Sequence, residues 1–268
     1  MKKQSFLDHE YLGLILDALA VCQNYKPKFG KGIKAGLTFD EFRALYQKDS
    51  FYTWFGLDSP LVYSAHKAAG GITSIYRQIG IACERLFRQI LQDALGLEPE
   101  QAAWSYKVPG RGGREQKLSL DGKISLADVR DSNQRMLIHE WLKEAAASVR
   151  VERKTASRLR GAVFEVRQGY KSKDSKRQNA DIGNAANAYA NSYLPAISLL
   201  SIQIDSDIEE RYARSQWLIL KGSLDGSRLN STYVFSREVL GYDLAGFFKR
   251  NSARIKRELE NVLETLLK

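Results

Sequence analysis

A chain of 268 residues with 44% apolar side chains is long enough to bury one sizeable core, which excludes global disorder. Its 41 Lys and Arg against 31 Asp and Glu leave a formal net charge of +10, so a polyanionic partner is expected: nucleic acid first, an anionic membrane surface second. Met1–Glu10 carries no apolar run, no stretch approaches the ~20 apolar residues of a membrane span, and Cys22 and Cys83 lie in apolar, helix-like surroundings; a soluble, cytoplasmic protein with buried free thiols and no membrane partner is expected.

Residues 5–23 have helical periodicity, with Leu12, Ile15, Leu19 and Cys22 on one face. The segment Lys26–Lys34 follows, rich in Gly and Lys (Lys28, Lys31, Lys34), and reads either as a solvated loop or as a phosphate-gripping one. Thr38 and Glu41 have capping-box spacing for a short helix over 38–48. Around it cluster Phe39, Phe42, Tyr46, Phe51, Tyr52, Trp54 and Phe55, read as core rather than as a base-stacking platform. Ile72–Leu95 is the strongest helix, with Ile75, Ile79, Leu86 and Ile90 in a stripe and Gly96 as its stop. Arg77, Glu84 and Arg88 fall on the opposite face, read as solvated, with a face turned to DNA or a second subunit as the alternative.

Strand-like segments come next. Ala103–Val108 alternates, and Gly110–Arg114 is a Gly/Arg loop, with Arg111 and Arg114, whose glycines carry no side chains to hinder backbone approach to a phosphate. Lys117–Leu126 reads as strand, turn, strand around Asp121-Gly122. Ser132–Val149 is helical, with Met136, Leu137, Trp141 and Ala145 aligned, and a basic stretch, Arg150–Arg160, follows. Gly161–Arg167 is a buried-type strand. Gln178–Tyr193 reads as a helix with Ile182, Ala186, Tyr189 and Tyr193 on one face, ended by Pro195. Ala196–Ile204 is a strand covered on both faces, Asp207–Ser215 a short helix and Trp217–Leu220 a further strand. The C-terminus is a helix capped by Asp243, with Ile255, Leu259, Val262 and Leu266 in register. Together these predict an α/β fold: a mixed central sheet flanked by helices, residues 101–268, behind a helical, aromatic-rich portion, residues 1–100, with one continuous domain as the alternative.

The chemistry is read from residues 163–181. Glu165 sits inside an apolar strand, where a carboxylate is costly unless paired or bound to metal. The strand runs into a loop carrying Lys171, Lys173, Lys176 and Arg177. Carboxylates beside dense cations suit a phosphodiester site: the acids hold Mg²⁺ and the cations hold phosphate. The other reading is a Glu165–Arg167 surface pair beside a solvated basic loop. A metal site needs a second acid; Asp121 is the first candidate and Asp128 the second, with an ordinary Asp-Gly turn as the alternative for Asp121.

An Asp at a strand end, a strand bearing Glu-x-cation, a crossover helix and another apolar strand resemble the PD-(D/E)xK nucleases, over roughly Trp104–Leu220. The resemblance implies a restriction-endonuclease-like fold and a type II restriction endonuclease that cuts double-stranded DNA with Mg²⁺. Asp121 matches the first acid and Glu165 the second. Arg167 stands where that family has lysine; arginine does not give up a proton near neutral pH, so it is assigned to phosphate or geometry, and Lys171 to the missing ammonium. The resemblance also implies a homodimer and a companion methyltransferase. A non-catalytic DNA- or RNA-binding protein and a repair or mobile-element nuclease stay open as alternatives. His9, His66 and His139 lie scattered, and no phosphate-binding Gly-x-x-x-x-Gly-Lys loop or Gly-x-Ser-x-Gly elbow occurs, which disfavours histidine metal sites, ATP-driven enzymes and serine hydrolases.

Overall fold

The computed structural model describes residues 2–29, 36–109, 115–169 and 175–267. The chain divides into two compact units, Met1–Ala82 with Arg250–Lys268, and Cys83–Lys249. Two long helices run unbroken through the junctions, and most of the C-terminal helix groups with the first unit.

The elements run α1 (Lys2–Ala20), a 3₁₀ turn (Val21–Asn24), α2 (Phe39–Tyr46), α3 (Ser50–Trp54), α4 (Pro60–Leu95), α5 (Pro99–Ala102), β1 (Trp104–Pro109), β2 (Glu115–Leu120), β3 (Gly122–Ser125), α6 (Ser132–Ser148) and α7 (Arg153–Ala156). There follow β4 (Gly161–Arg167), α8 (Ser175–Ala190), β5 (Tyr193–Leu199), α9 (Ser206–Arg214), β6 (Leu218–Leu220), α10 (Thr232–Glu238) and α11 (Leu244–Leu267).

In the first unit α1 buries Leu12, Ile15 and Leu19, and the 3₁₀ turn that follows buries Cys22, the face the periodicity predicts. Thr38 caps α2 in a complete capping box with Glu41. Helix α4 starts at Pro60 rather than Ile72. Pro at the first helical position needs no N–H partner, and the Ser59 hydroxyl accepts from the Val62 N–H. Within this helix Gly71 lets a neighbour approach: a Cβ there would stand 2.8 Å from a Leu266 methyl. Val262 and Leu266 of α11 are buried in this same unit, so the predicted C-terminal stripe is covered by the chain itself. The aromatic cluster splits. Phe42 is fully buried against Phe29, Tyr46 and Tyr63, but Phe51, Trp54 and Phe55 of the α3 region are exposed, because a helix of five residues has no second face to bury them.

The second unit holds a two-stranded antiparallel ribbon, β1-β2, and a four-stranded mixed sheet in the order β3-β4-β5-β6. β3 runs antiparallel to β4, while β5 and β6 follow parallel, each reached through a crossover that contains a helix, α8 and then α9. The predicted strand-turn-strand around Asp121-Gly122 is therefore not a hairpin: β2 pairs with β1 and β3 with β4, and Asp121 is the joint between two sheets. Gly161 permits the β3–β4 approach, since any Cβ there would strike the Ile124 carbonyl.

The sheet is covered on both faces, which is why β4 and β5 read as near-continuous apolar runs. Val163, Ile197 and Leu199 face Ala185 and Ala188 of α8 and Ile208 and Tyr212 of α9. On the other face Phe164 meets Phe87 of α4, Trp141 of α6 and Phe235 of α10. Three side-chain assignments change. Met136 of α6 is exposed, and the buried face is Ile138, Trp141, Leu142 and Ala145. Helix α8 stops at Ala190, so Tyr193 and Pro195 lie in β5, which itself ends at Leu199 rather than Ile204. Ala186 is exposed, and α8 buries Asp181, Asn184, Ala185 and Ala188 instead.

Candidate functional site

Glu165 lies on β4 two residues after Val163, so alternation places it and Arg167 on the α8/α9 face of the sheet. Its side chain is about one-tenth exposed. The β3–β4 register begins with Gly122 opposite Phe164, so Asp121, the residue just before β3, lies against β4 near Glu165. Two hydrogen bonds fix Asp121 there: its N–H donates to the Phe164 carbonyl at 2.8 Å, and its Oδ2 accepts the Val166 N–H at 2.8 Å. Arg88 of α4 donates through Nε to the Asp121 carbonyl at 2.8 Å. Asp128 lies beyond the other end of β3, 3.9 Å from the Lys123 ammonium. Sheet pairing thus brings Asp121, not Asp128, beside Glu165.

Arg167 forms an ion pair with Glu165, and its terminal nitrogen stands 3.8 Å from Asp181 Oδ1 on α8. Tyr212 of α9 donates its hydroxyl to Asp181 Oδ2 at 2.5 Å. Glu84, half-buried on α4 one turn before Arg88, acts electrostatically on both Asp121 and Glu165. Among the described residues, four carboxyls, Glu84, Asp121, Glu165 and Asp181, act on one another together with two guanidiniums, Arg88 and Arg167.

The titration behaviour follows first from burial and then from these neighbours. Burial pushes the Glu165 carboxyl well above the ordinary range; Arg167 opposes the rise, and Asp121, Asp181 and Glu84 add to it. Asp121 is raised by burial against the lowering effect of the Val166 N–H and of Arg167 and Arg88. Glu84 is raised to about 7 by burial and by Asp121. A buried carboxylate is relieved by a proton or by a bound cation. Among the described residues no three His, Cys, Asp or Glu side chains converge closely enough to form a metal cage by themselves. The donors on offer for one ion are Asp121 and Glu165, with Arg167 lying on the latter.

The remaining predicted residues separate into groups. Lys176 and Arg177 fall in the first turn of α8. Lys28 is exposed in the first unit. Lys31, Lys34, Arg111, Arg114, Lys171 and Lys173 lie outside the described residues. The three histidines are exposed, and both cysteines are free and buried.

Glu84, Arg88, Asp181 and Tyr212 join Asp121, Glu165 and Arg167, and the sequence analysis assigns none of the four to the site. Glu84 and Arg88, read as a solvated helix face, instead meet Asp121. The available signal was Asp181 itself, an acid on the stripe that also carries Ala185 and Ala188. Among the described residues no helix is long and apolar enough to cross a membrane. No family model, no curated protein and no solved structure matches this chain.

Proposed function

We propose that the chain is a Mg²⁺-dependent endodeoxyribonuclease of the type II restriction kind, with a restriction-endonuclease-like core, hydrolysing phosphodiesters of double-stranded DNA. The observation that carries this reading is the placement of Asp121 against β4 beside Glu165, among buried acids, on a chain of net charge +10. The donor chemistry fits a hard divalent cation, because two buried carboxylates with raised proton affinity gain most from a compact charge. Asp121 and Glu165 would hold the ion. When bound, it supplies positive charge at the scissile phosphate and polarises the attacking water. The chain's own part is to fix Asp121 through Val166 and Arg88, to exclude bulk water from Glu165, and to present cations to the phosphate. Arg167 serves as a permanent positive charge for a phosphate oxygen, not as a base. Lys171, between β4 and α8, is assigned the ammonium role, and Lys28, Lys31, Lys34, Arg111, Arg114, Lys173, Lys176 and Arg177 the DNA backbone. Cutting both strands of a duplex calls for two such centres, hence a homodimer, and self-protection calls for a companion methyltransferase.

Incubation of phage DNA with the protein and Mg²⁺ tests this reading. Discrete fragments that vanish with EDTA are expected. A smear would favour a repair or mobile-element nuclease. Intact but bound DNA would favour a DNA-binding protein without chemistry; on that side stands the Glu165–Arg167 ion pair, which neutralises both groups without a metal.

A further inference from the structure

We infer that the crevice between α6, α7 and the chain leading into β4 binds a small aliphatic anion: a carboxylate whose hydrocarbon body lies on Leu142, Val151 and Leu159 and whose charge meets Lys143 and Arg153. The site is separate from the acid cluster and needs no metal. Leu159 precedes β4, whereas Glu165 lies four residues along the strand from Gly161, ~13 Å beyond its start.

The walls follow from the local sequence. Leu142 and Lys143 stand about one turn before Ala147 on α6, so one side of the helix carries apolar and cationic groups together. The chain then reverses through Arg150, which adopts φ 57°. Two hydrogen bonds pin the reversal: the Val151 N–H donates to the Ala146 carbonyl at 2.9 Å, and the Gln216 side-chain amide donates to the Arg150 carbonyl at 2.8 Å. Val151 and α7 are thereby folded back beside α6, and the space between them is about 380 Å³. Small-molecule sites span ~300–1,000 Å³, so this one suits a ligand from the small end of that range.

The lining selects the ligand. Leu142 and Leu159 are buried and Val151 is half-buried, which makes the floor aliphatic. Among the described residues no Phe, Tyr or Trp ring lines it, so a nucleobase would find nothing to stack on. Lys143 and Arg153 are exposed at the rim. Among the described residues no carboxylate pairs with either: Glu144 is held by Arg228 at 2.7 Å, and Glu140 acts on that same guanidinium. Two unneutralised cations over an aliphatic floor match a compact anion on a hydrocarbon chain better than they match the polar backbone of DNA.

The test is isothermal calorimetry of the full-length protein, without DNA, against sodium butanoate, hexanoate and octanoate, with octanol as the uncharged control. Octanoate is expected to bind, and each methylene that enters the crevice to tighten binding about fourfold. Octanol, Lys143→Ala with octanoate and Arg153→Ala with octanoate are each expected to bind about tenfold more weakly, the scale of losing one charge-assisted hydrogen bond. Ala147→Phe lies at an exposed helical position, with its side chain directed back toward Lys143; it should fill the crevice and abolish octanoate binding, circular dichroism confirming the fold. Affinity that is independent of chain length would overturn the proposal, as would octanoate binding that all three substitutions leave unchanged. Wild-type protein that binds no octanoate would overturn it too, and a loss of duplex-DNA affinity in Lys143→Ala and Arg153→Ala would then assign the rim to DNA. Should Ala147→Phe not fold, the chain-length series on the unsubstituted protein and the two charge substitutions decide the question. None of these outcomes bears on cleavage, so the crevice and the cutting centre are tested apart.

Discussion

In the absence of divalent ions, raising the pH from about 5 to 8 is expected to weaken the fold through the acid cluster, and Glu84→Gln to blunt that loss. Glu84 carries a folded-state pKa of about 7 against an ordinary 4.5, pushed up by burial and by Asp121. Below 4.5 the group is protonated in both the folded and unfolded chain and contributes nothing. Between 4.5 and 7 the folded chain holds more protons than the unfolded one, so stability falls as pH rises through that window and levels off above it. For a fully buried group this displacement would amount to about 3.4 kcal/mol. Glu84 is half-buried, and water screens it, which leaves about 1 kcal/mol. Asp121 and Glu165 are displaced in the same direction and steepen the same slope. The assay is urea denaturation at a series of pH values in EDTA, read as the difference between wild type and Glu84→Gln so that titration elsewhere cancels. The two should be equally stable near pH 4.5, and the variant about 1 kcal/mol more stable at pH 8. A variant that instead loses stability on the way to pH 8 would refute the reasoning, since Glu84 would then be held as an ion by Arg85 or Arg88 rather than strained by its neighbours.

Other expectations concern the site and the DNA surface. Asp121→Asn keeps an acceptor for the Val166 N–H and should melt within about 1 kcal/mol of wild type while losing cleavage; Asp121→Ala orphans that N–H and should cost a further ~1–3 kcal/mol. Asp128→Asn, beside Lys123, should leave plasmid nicking intact; loss of nicking there with Asp121→Asn active would reverse the two roles. Fluorescence anisotropy should show DNA affinity falling on the order of a thousandfold between about 50 and 200 mM salt, and a flat dependence would remove the DNA reading. Light scattering should give twice the 30.3 kDa of one chain when DNA and Ca²⁺ are present, and a persistent monomer would mean that the strands are cut one at a time.

The strand bearing Glu165 was legible because it is a short apolar run interrupted by one acid, and sheet burial on both faces bears out that pattern. The α2 cap and the Gly96 stop were legible for the same kind of reason, local chemistry with one structural solution. Asp121 was found as an acid but misread as a hairpin turn, because period-two alternation identifies a strand without naming its partner. Glu84 was misassigned since a helical face bearing charge looks solvated whether it meets water or a buried acid. Tyr193 and Pro195 were misplaced because an apolar run flanking a helix fits either period. The unit boundary was invisible for a mechanical reason: α4 and α11 pass through it without a break.

The central claim is that Glu165 and Asp121 form a metal-dependent cutting centre. The most direct measurement compares wild type with Glu165→Gln on the same phage DNA, scoring binding in Ca²⁺ and fragment production in Mg²⁺. The account predicts equal binding, discrete fragments from wild type and none from the variant. Fragments at the wild-type rate from Glu165→Gln would contradict it.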